Sequence, residues 1–315
     1  MASKSEVLPL VSPKPEAPVH HHLLGLSLVA CSAFTFSLMS CAIKYESYVM
    51  SSMETVFWRS GFAWILILMA VKCQRVSLYV APEYRFFLAI RCFVGFLSMS
   101  LGFWTMSQMV LADASVIIFT SPVWSFFLGA LILHETIDPV SFGCALCSFI
   151  GVVCVSRPSF LFGESAEEDV HGSKFAVVGG LCAAASQALV YVVVRGLKGL
   201  HFMVVIQYFM LTCTIGSGLW MLLVEQRINV TLTPDVWAAA VATGVLGFVG
   251  QLFMTKGFQL ENVGIASVMR YLDIVFVFIW DITLLREAIN LWSVLGAVII
   301  CSCAIVIALR KAHKQ

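Results

Sequence analysis

Ten runs of apolar residues, separated by short polar or turn-forming breaks, make up most of the chain. They fall at residues 23–43, 53–71, 84–106, 113–133, 139–156, 174–194, 201–224, 235–255, 263–284 and 291–309. Each approaches the roughly 20 residues with which a helix crosses the hydrocarbon layer of a bilayer, so the pattern predicts ten membrane-spanning helices. Two of the breaks carry the chemistry of a helix start. Asp138 precedes Pro139 and Thr233 precedes Pro234, each an N-cap side chain before a proline whose missing N–H costs nothing in the first turn. The long hydrophilic break at residues 157–173, with Glu164, Glu167, Glu168 and Asp169, is a linker that divides the chain near its middle.

The ends lie outside this pattern. Residues 1–22 are polar and carry Pro9, Pro13, Pro15 and Pro18, so they read as a disordered cytoplasmic tail, and residues 310–315 as a basic cytoplasmic one. His20, His21 and His22 read as a polar cluster at the membrane boundary rather than a metal site.

Composition agrees with a chain immersed in lipid. Of its 315 residues 60% are hydrophobic and 12% charged, about half the charge of an ordinary soluble domain. The net charge is +1 with the basic residues scattered, which excludes a nucleic-acid surface. The eleven cysteines lie mostly in apolar runs and read as packing residues. Cys144 and Cys147 form a CxxC without the second pair or the histidines that a zinc site needs. No phosphate-cradling loop, dinucleotide fingerprint or HExxH is present, so no cofactor and no enzyme activity is expected.

Lysine and arginine outside the runs set an orientation. With the N-terminus inside, the cytoplasmic segments carry eleven of them, including Lys72, Arg75, Lys198 and Arg310, and the opposite side carries five. The excess predicts that both termini are cytoplasmic. Asn229-Val230-Thr231 then falls on the far side.

The two halves repeat at an offset of 152 residues. "ADASVIIF" at 112–119 matches "GIASVMRY" at 264–271, and "LHETIDPVSFGCA" at 133–145 matches "LREAINLWSVLGA" at 285–297. The same offset pairs Gly95-Phe96 with Gly247-Phe248, Glu135 with Glu287 and Asp138 with Asn290, without a gap from 95 to 141. Five helices per copy is an odd number, so the second copy must enter the membrane inverted. Inverted repeats mark transporter folds with a substrate site near the midplane. The expected fold is therefore an all-α integral membrane protein of ten transmembrane helices in two inverted five-helix repeats, residues 23–156 and 174–309.

These features, together with "ADASVI" leading to Pro122 and the glutamates closing the fourth and ninth helices, resemble the EamA domain of the drug/metabolite transporter superfamily. The chain is most similar to its eukaryotic solute-carrier-35 subgroup G type. The resemblance implies a central cavity lined by helices one to four and six to nine, with helices five and ten packed at the rear. The second copy has Ile274 where the first has Pro122, so the proline that would kink the ninth helix is missing.

Charges in hydrocarbon cost at least about 2.5–3.5 kcal/mol each and mark candidate functional residues. They are Arg59, Arg91, Arg270, Asp273 and Asp281. On an unbroken α-helix, positions 270, 273, 277 and 281 fall within about 80° of one another, a stripe aimed at the cavity. The counterparts of Arg270 and Asp273 in the first copy are Ile118 and Ser121, so the scaffold itself does not require the charges. Arg270 and Asp273 stand at i,i+3 and are also placed to pair with each other; Arg59 is within reach of Glu54. Gln251 and Tyr271 complete the candidate lining, Gln187 and Gln207 read as hydrogen bonders between helices, and Glu135 and Glu287 as caps and interfacial anchors.

With three arginines against two aspartates in the membrane, the sequence favours a secondary transporter for a small organic solute, anionic or zwitterionic. The alternative is a non-transporting scaffold or regulator on the same fold. The expected partners are the solute and the lipid bilayer, with a homodimer as the candidate assembly; whether the membrane is the plasma membrane or an internal one is left open.

Overall fold

The computed structural model describes residues 22–46, 49–109, 111–162, 175–226, 233–283 and 290–313. Among the described residues ten helices are long and apolar enough to cross a membrane. In chain order, spans 1 to 10 are Leu23–Ile43, Ser52–Cys73, Pro82–Met106, Asp113–Leu133, Pro139–Ser156, Ala176–Gly196, Phe202–Glu225, Pro234–Leu260, Val263–Trp280 and Leu291–His313. Span 8 runs five residues further than its apolar pattern, and the helix of span 10 takes in the first residues of the expected basic tail. The N-terminal tail, the sequon, Glu287 and most of the linker lie outside the described residues; within the linker Ser159–Phe162 form one helical turn.

Polarity is turned inside out, as lipid requires. Leu131 and Leu223 are each 73% exposed and Phe86 71%, whereas Ser32, Ser37, Ser125 and Ser217 are fully buried. Their hydroxyls return to carbonyls of their own helices, at Val29, Phe34, Ser121 and Cys213. With no water to bond in hydrocarbon, this is the nearest partner that each hydroxyl has.

The helices pair across the two copies, and the pairs run antiparallel. In spans 1 and 8, Val29 meets Gly257 while Phe36 meets Gly250. In spans 3 and 6, the Ser98 hydroxyl donates to the Ala183 carbonyl (3.0 Å) and to Gln187 Oε1 (3.1 Å), while Thr105 meets Gly180. Gln187 thus links helices, as expected. In spans 5 and 10, Arg310 reaches Asp138, the carbonyl oxygen of Gly296 lies 2.8 Å from where a Cβ of Gly151 would stand, and the Ser293 hydroxyl donates to Val155 O (3.4 Å). The 152-residue offset maps the Gly151–Gly296 contact onto Cys303 and Cys144, whose thiols lie within bonding reach. That is the packing role expected of Cys144.

Spans 4 and 9 meet each other at the pseudo-twofold axis, and both are broken. Span 4 divides into Leu111–Ile118 and Ser121–Leu133, with Pro122 just past the break. Span 9 divides into Val263–Val268, a 3₁₀ turn at Met269–Tyr271, and Leu272–Thr283. The second copy therefore breaks at the equivalent place without a proline. Packing supplies the cause: the Ser267 hydroxyl bonds back to Gly264 O (2.7 Å) and across to Pro122 O (3.3 Å), and Gly264 lets the Phe126 ring seat against the backbone.

Candidate functional site

The break in span 9 builds the first half of the site. Arg270 sits within the 3₁₀ turn, where three residues per turn stack side chains i and i+3. Its Nη2 donates to Asp273 Oδ2 at 2.9 Å and its Nη1 reaches Ser32 Oγ on span 1 at 3.4 Å. The guanidinium lies over the Phe36 ring at 5.0 Å, and Phe36 has its place because Gly250 offers no Cβ to collide with it. Arg270 Nε and Asp273 Oδ1 are buried with no hydrogen-bond partner among the described residues. The pair is real but half-satisfied. The unbroken stripe expected through 270, 273, 277 and 281 is interrupted by this turn, and the side chain of Asp281 lies outside the described residues.

Arg91 on span 3 forms the second half. It is 1% exposed, and its guanidinium stacks on the Phe209 ring of span 7 at 3.9 Å. Gly95, one turn along, makes the space: a Cβ there would strike Arg91 Nη1 and come within 2.7 Å of the Phe209 ring. Arg91 Nε and Nη1 also lack a partner among the described residues. Burying a full charge against hydrocarbon with its donors empty is costly.

A residue that the sequence pattern did not single out joins the two arginines. Tyr191 on span 6, 4% exposed, lies within hydrogen-bonding reach of the Arg270 guanidinium and within electrostatic range of Arg91. It stacks flat on Phe258 of span 8, centroids 4.2 Å apart and planes 7° apart. Arg91 lies nine residues past the start of span 3 and Arg270 seven past the start of span 9. At about 1.5 Å per residue both are some 10–14 Å deep from the same membrane face.

Arg59 occupies a different place from the expected one. Five residues along a helix is about 140° of rotation, which turns it away from Glu54. Its hydrogen bonds go to the sulfurs of Met99 (2.8 Å) and Met39 (3.7 Å). The carboxylate close enough to act on its charge is Glu46, which accepts from Thr243 at 3.0 Å. Cys213 on span 7 feels the charges of both Arg59 and Arg91, so the arginines form one polar trail through the interior. Gln251 Oε1 and Tyr271 Oη are buried without partners among the described residues, as are Gln207 Oε1 and Thr255 Oγ1. Gln207, expected to bond between helices, leaves its acceptor empty.

One end of the bundle is tied shut. Glu135, at the close of span 4, accepts from Arg195 Nε at the end of span 6 (3.3 Å) and from the Val263 N–H that starts span 9 (2.9 Å). Arg195 Nη1 donates to Gln259 O on span 8 (2.6 Å). Glu135 is the cap it was expected to be, for span 9 rather than for its own helix. Lys311–Glu261 (2.8 Å) and Arg310–Asp138 (2.6 Å) close the same end. Arg310 and Ser141 hold the Asp138 carboxyl down at about 2. Among the described residues no group of three or more His, Cys, Asp or Glu could hold a metal ion.

The arrangement has known counterparts. The sequence model of the EamA-like transporter family matches residues 23–157 and again residues 174–309. Human solute carrier family 35 member G1 is 28% identical, over 93% of this chain and 80% of its own. The pseudopaline exporter CntI of Pseudomonas aeruginosa is 28% identical, over 91% of this chain and 96% of its own. An uncharacterized membrane protein of Saccharomyces cerevisiae is 30% identical over 74% of this chain, which spans 60% of the yeast protein's length. A crystal structure with 19% sequence identity superposes with a TM-score of 0.74, covering 92% of this chain and 98% of that one, and so shares the fold. Two matched copies, ten spans paired antiparallel and a charged interior place this chain in the EamA-like transporter family, as an integral multi-pass membrane protein.

Proposed function

We propose that this protein is a secondary transporter that moves a small organic anion or zwitterion by alternating access, with Arg91 and Arg270 holding the carboxylate or phosphate of the solute. The observation that carries this reading is the Arg91 guanidinium: 1% exposed, pressed on Phe209, and with two nitrogens unpartnered among the described residues. A purely structural arginine at that depth is expected to be fully bonded. A solute oxyanion supplies the missing acceptors in the two-pronged geometry that a guanidinium prefers. Asp273 balances Arg270 in the empty state, Tyr271 and Gln251 offer neutral polar atoms, and Arg59 is a further cation on the trail. Asp281 completes the proposed set by its place on span 9.

Inverted copies with broken helices meeting on the axis support alternating access. The Glu135–Arg195 tie then belongs to a state closed at that end, which is the cytoplasmic one if both termini are inside, as the charge bias favours. The Arg270–Asp273 pair is the one feature that also suits a non-transporting scaffold, since it neutralises itself. The test is uptake into proteoliposomes of a panel of anionic, zwitterionic and cationic metabolites. Saturable uptake of anions or zwitterions, lost in Arg91→Gln and Arg270→Gln, supports the transporter; no flux for any class, with a protein partner retained on purification, supports the scaffold.

A further inference from the structure

Two connections face each other at the tied end, and each carries an acid that span 10 reaches. Spans 4 and 5 are joined by residues 134–138, which end on Asp138, and spans 8 and 9 by Glu261 and Asn262 alone. Glu135 joins the two connections directly, by accepting from the Val263 N–H (2.9 Å). A small crevice lined by Glu135, Thr136, Ile137, Asn262 and Ile265 lies between them.

Span 10 joins the same connections a second time, from behind. Consecutive residues of a helix point about 100° apart, and at the end of span 10 this aims Arg310 at one connection and Lys311 at the other. Arg310 donates to both carboxylate oxygens of Asp138 (2.6 and 3.4 Å), which also accepts from the Ser141 N–H (3.0 Å) and hydroxyl (2.6 Å). Lys311 Nζ donates to Glu261 Oε1 at 2.8 Å, a single contact. The Glu261 side chain is 4% exposed, and the same oxygen accepts from the Asn262 N–H (2.8 Å). Gly25, at the start of span 1, leaves room for it: a Cβ there would stand 2.9 Å from Glu261 Cβ. Of the two legs, Arg310 is therefore the anchor and Lys311 the one that can let go.

We propose that the end of span 10 is a strap across this gate: Lys311 fastens the 8–9 connection to a helix already anchored on the 4–5 connection, and the end opens only when the Lys311 leg lets go. The proposal rests on the reading of the tied end as the closed gate of an alternating-access transporter. Separating the two connections breaks the Glu135–Val263 contact and, because Arg310 keeps span 10 with Asp138, pulls Lys311 from Glu261 as well. A buried carboxylate that loses its cation is strongly disfavoured. The strap thus holds the gate shut beyond what Glu135 does, and span 10 sets how readily the protein opens without touching the solute site.

Amide hydrogen exchange of the purified full chain reads the strap at two adjacent N–H groups. That of Asn262 is held by Glu261, on the strap itself, and that of Val263 by Glu135, across the gate. In Lys311→Gln, exchange at Val263 should be about tenfold faster than in the wild type, and Lys311→Arg should restore the wild-type rate. The double variant Lys311→Gln, Glu261→Gln should speed Val263 in the same way, and it folds without a buried unpaired carboxylate. Faster exchange confined to Asn262 overturns the strap. So does wild-type exchange at Val263 in the single and double variants while Glu135→Gln speeds it, a result that leaves the gate reading standing. Wild-type exchange at Val263 in Glu135→Gln as well overturns the gate reading, and the strap with it.

Discussion

Phe119 and Tyr271 stand 152 residues apart in the sequence and face each other in the structure, ring centroids 6.5 Å apart. They are the same position in the two copies. A residue that touches its own counterpart lies on the pseudo-twofold axis, so this pair locates the axis at the two helix breaks.

Tyr271 offers a test that separates packing from binding. It is fully buried, and its hydroxyl has no partner among the described residues. If the hydroxyl only packed, Tyr271→Phe would remove an unsatisfied polar group and raise stability by about 1 kcal/mol with no other effect. The account expects that gain in thermal stability together with weaker solute binding. Unchanged binding would remove Tyr271 from the site.

Gly95 is the support of Arg91. Gly95→Ala places a methyl where Arg91 Nη1 and the Phe209 ring now sit. The expected outcome is an overpacking cost of about 1–3 kcal/mol in denaturation and loss of anion binding as the guanidinium shifts. A variant that binds as the wild type does would show that the stacked position of Arg91 is not the one the solute uses.

The tie at Glu135 should control access. Glu135→Gln keeps an acceptor for the Val263 N–H and weakens the charge pair with Arg195, at a cost of about 1–3 kcal/mol to the closed arrangement. Cysteines introduced at the tied end should then react faster with a membrane-impermeant maleimide. Unchanged labelling would show that the tie does not hold the closed state.

Asp138 gives a pH dependence with a definite sign. Its carboxyl is held down at about 2 in the folded protein by Arg310 and Ser141, against an ordinary value near ~3.9. The folded state therefore binds fewer protons than the unfolded one between those values. The stabilisation is fully present above the ordinary carboxylate range and is lost as pH falls through about 2. The thermal midpoint difference between wild type and Asp138→Asn should stay constant from about pH 8 to 5 and shrink below about pH 4. A difference that is flat down to the lowest pH would show that the pair contributes nothing through ionisation.

Much of the fold was legible because lipid enforces it. Ten spans follow from runs of sufficient length, and inversion follows from an odd number of them per copy. Glu135 was readable as a cap, but which helix it caps was not, because Val263 is 128 residues away. The break in span 9 was hidden since no proline marks it; the Ser267–Pro122 contact that fixes it is tertiary. Arg91 and Arg270 stood out by charge alone. Tyr191 did not, because a tyrosine among valines reads as packing until the fold brings it to Arg270 and within electrostatic range of Arg91.

The central claim is that Arg91 grips the solute. Initial uptake into proteoliposomes, measured against concentration for the best anionic or zwitterionic metabolite in the panel, tests it at matched reconstituted protein. For Arg91→Gln the account predicts that kcat/KM falls by about 100-fold, the loss of a two-pronged charge-assisted contact of about 2.7 kcal/mol. Uptake by Arg91→Gln at the wild-type rate and KM would contradict it.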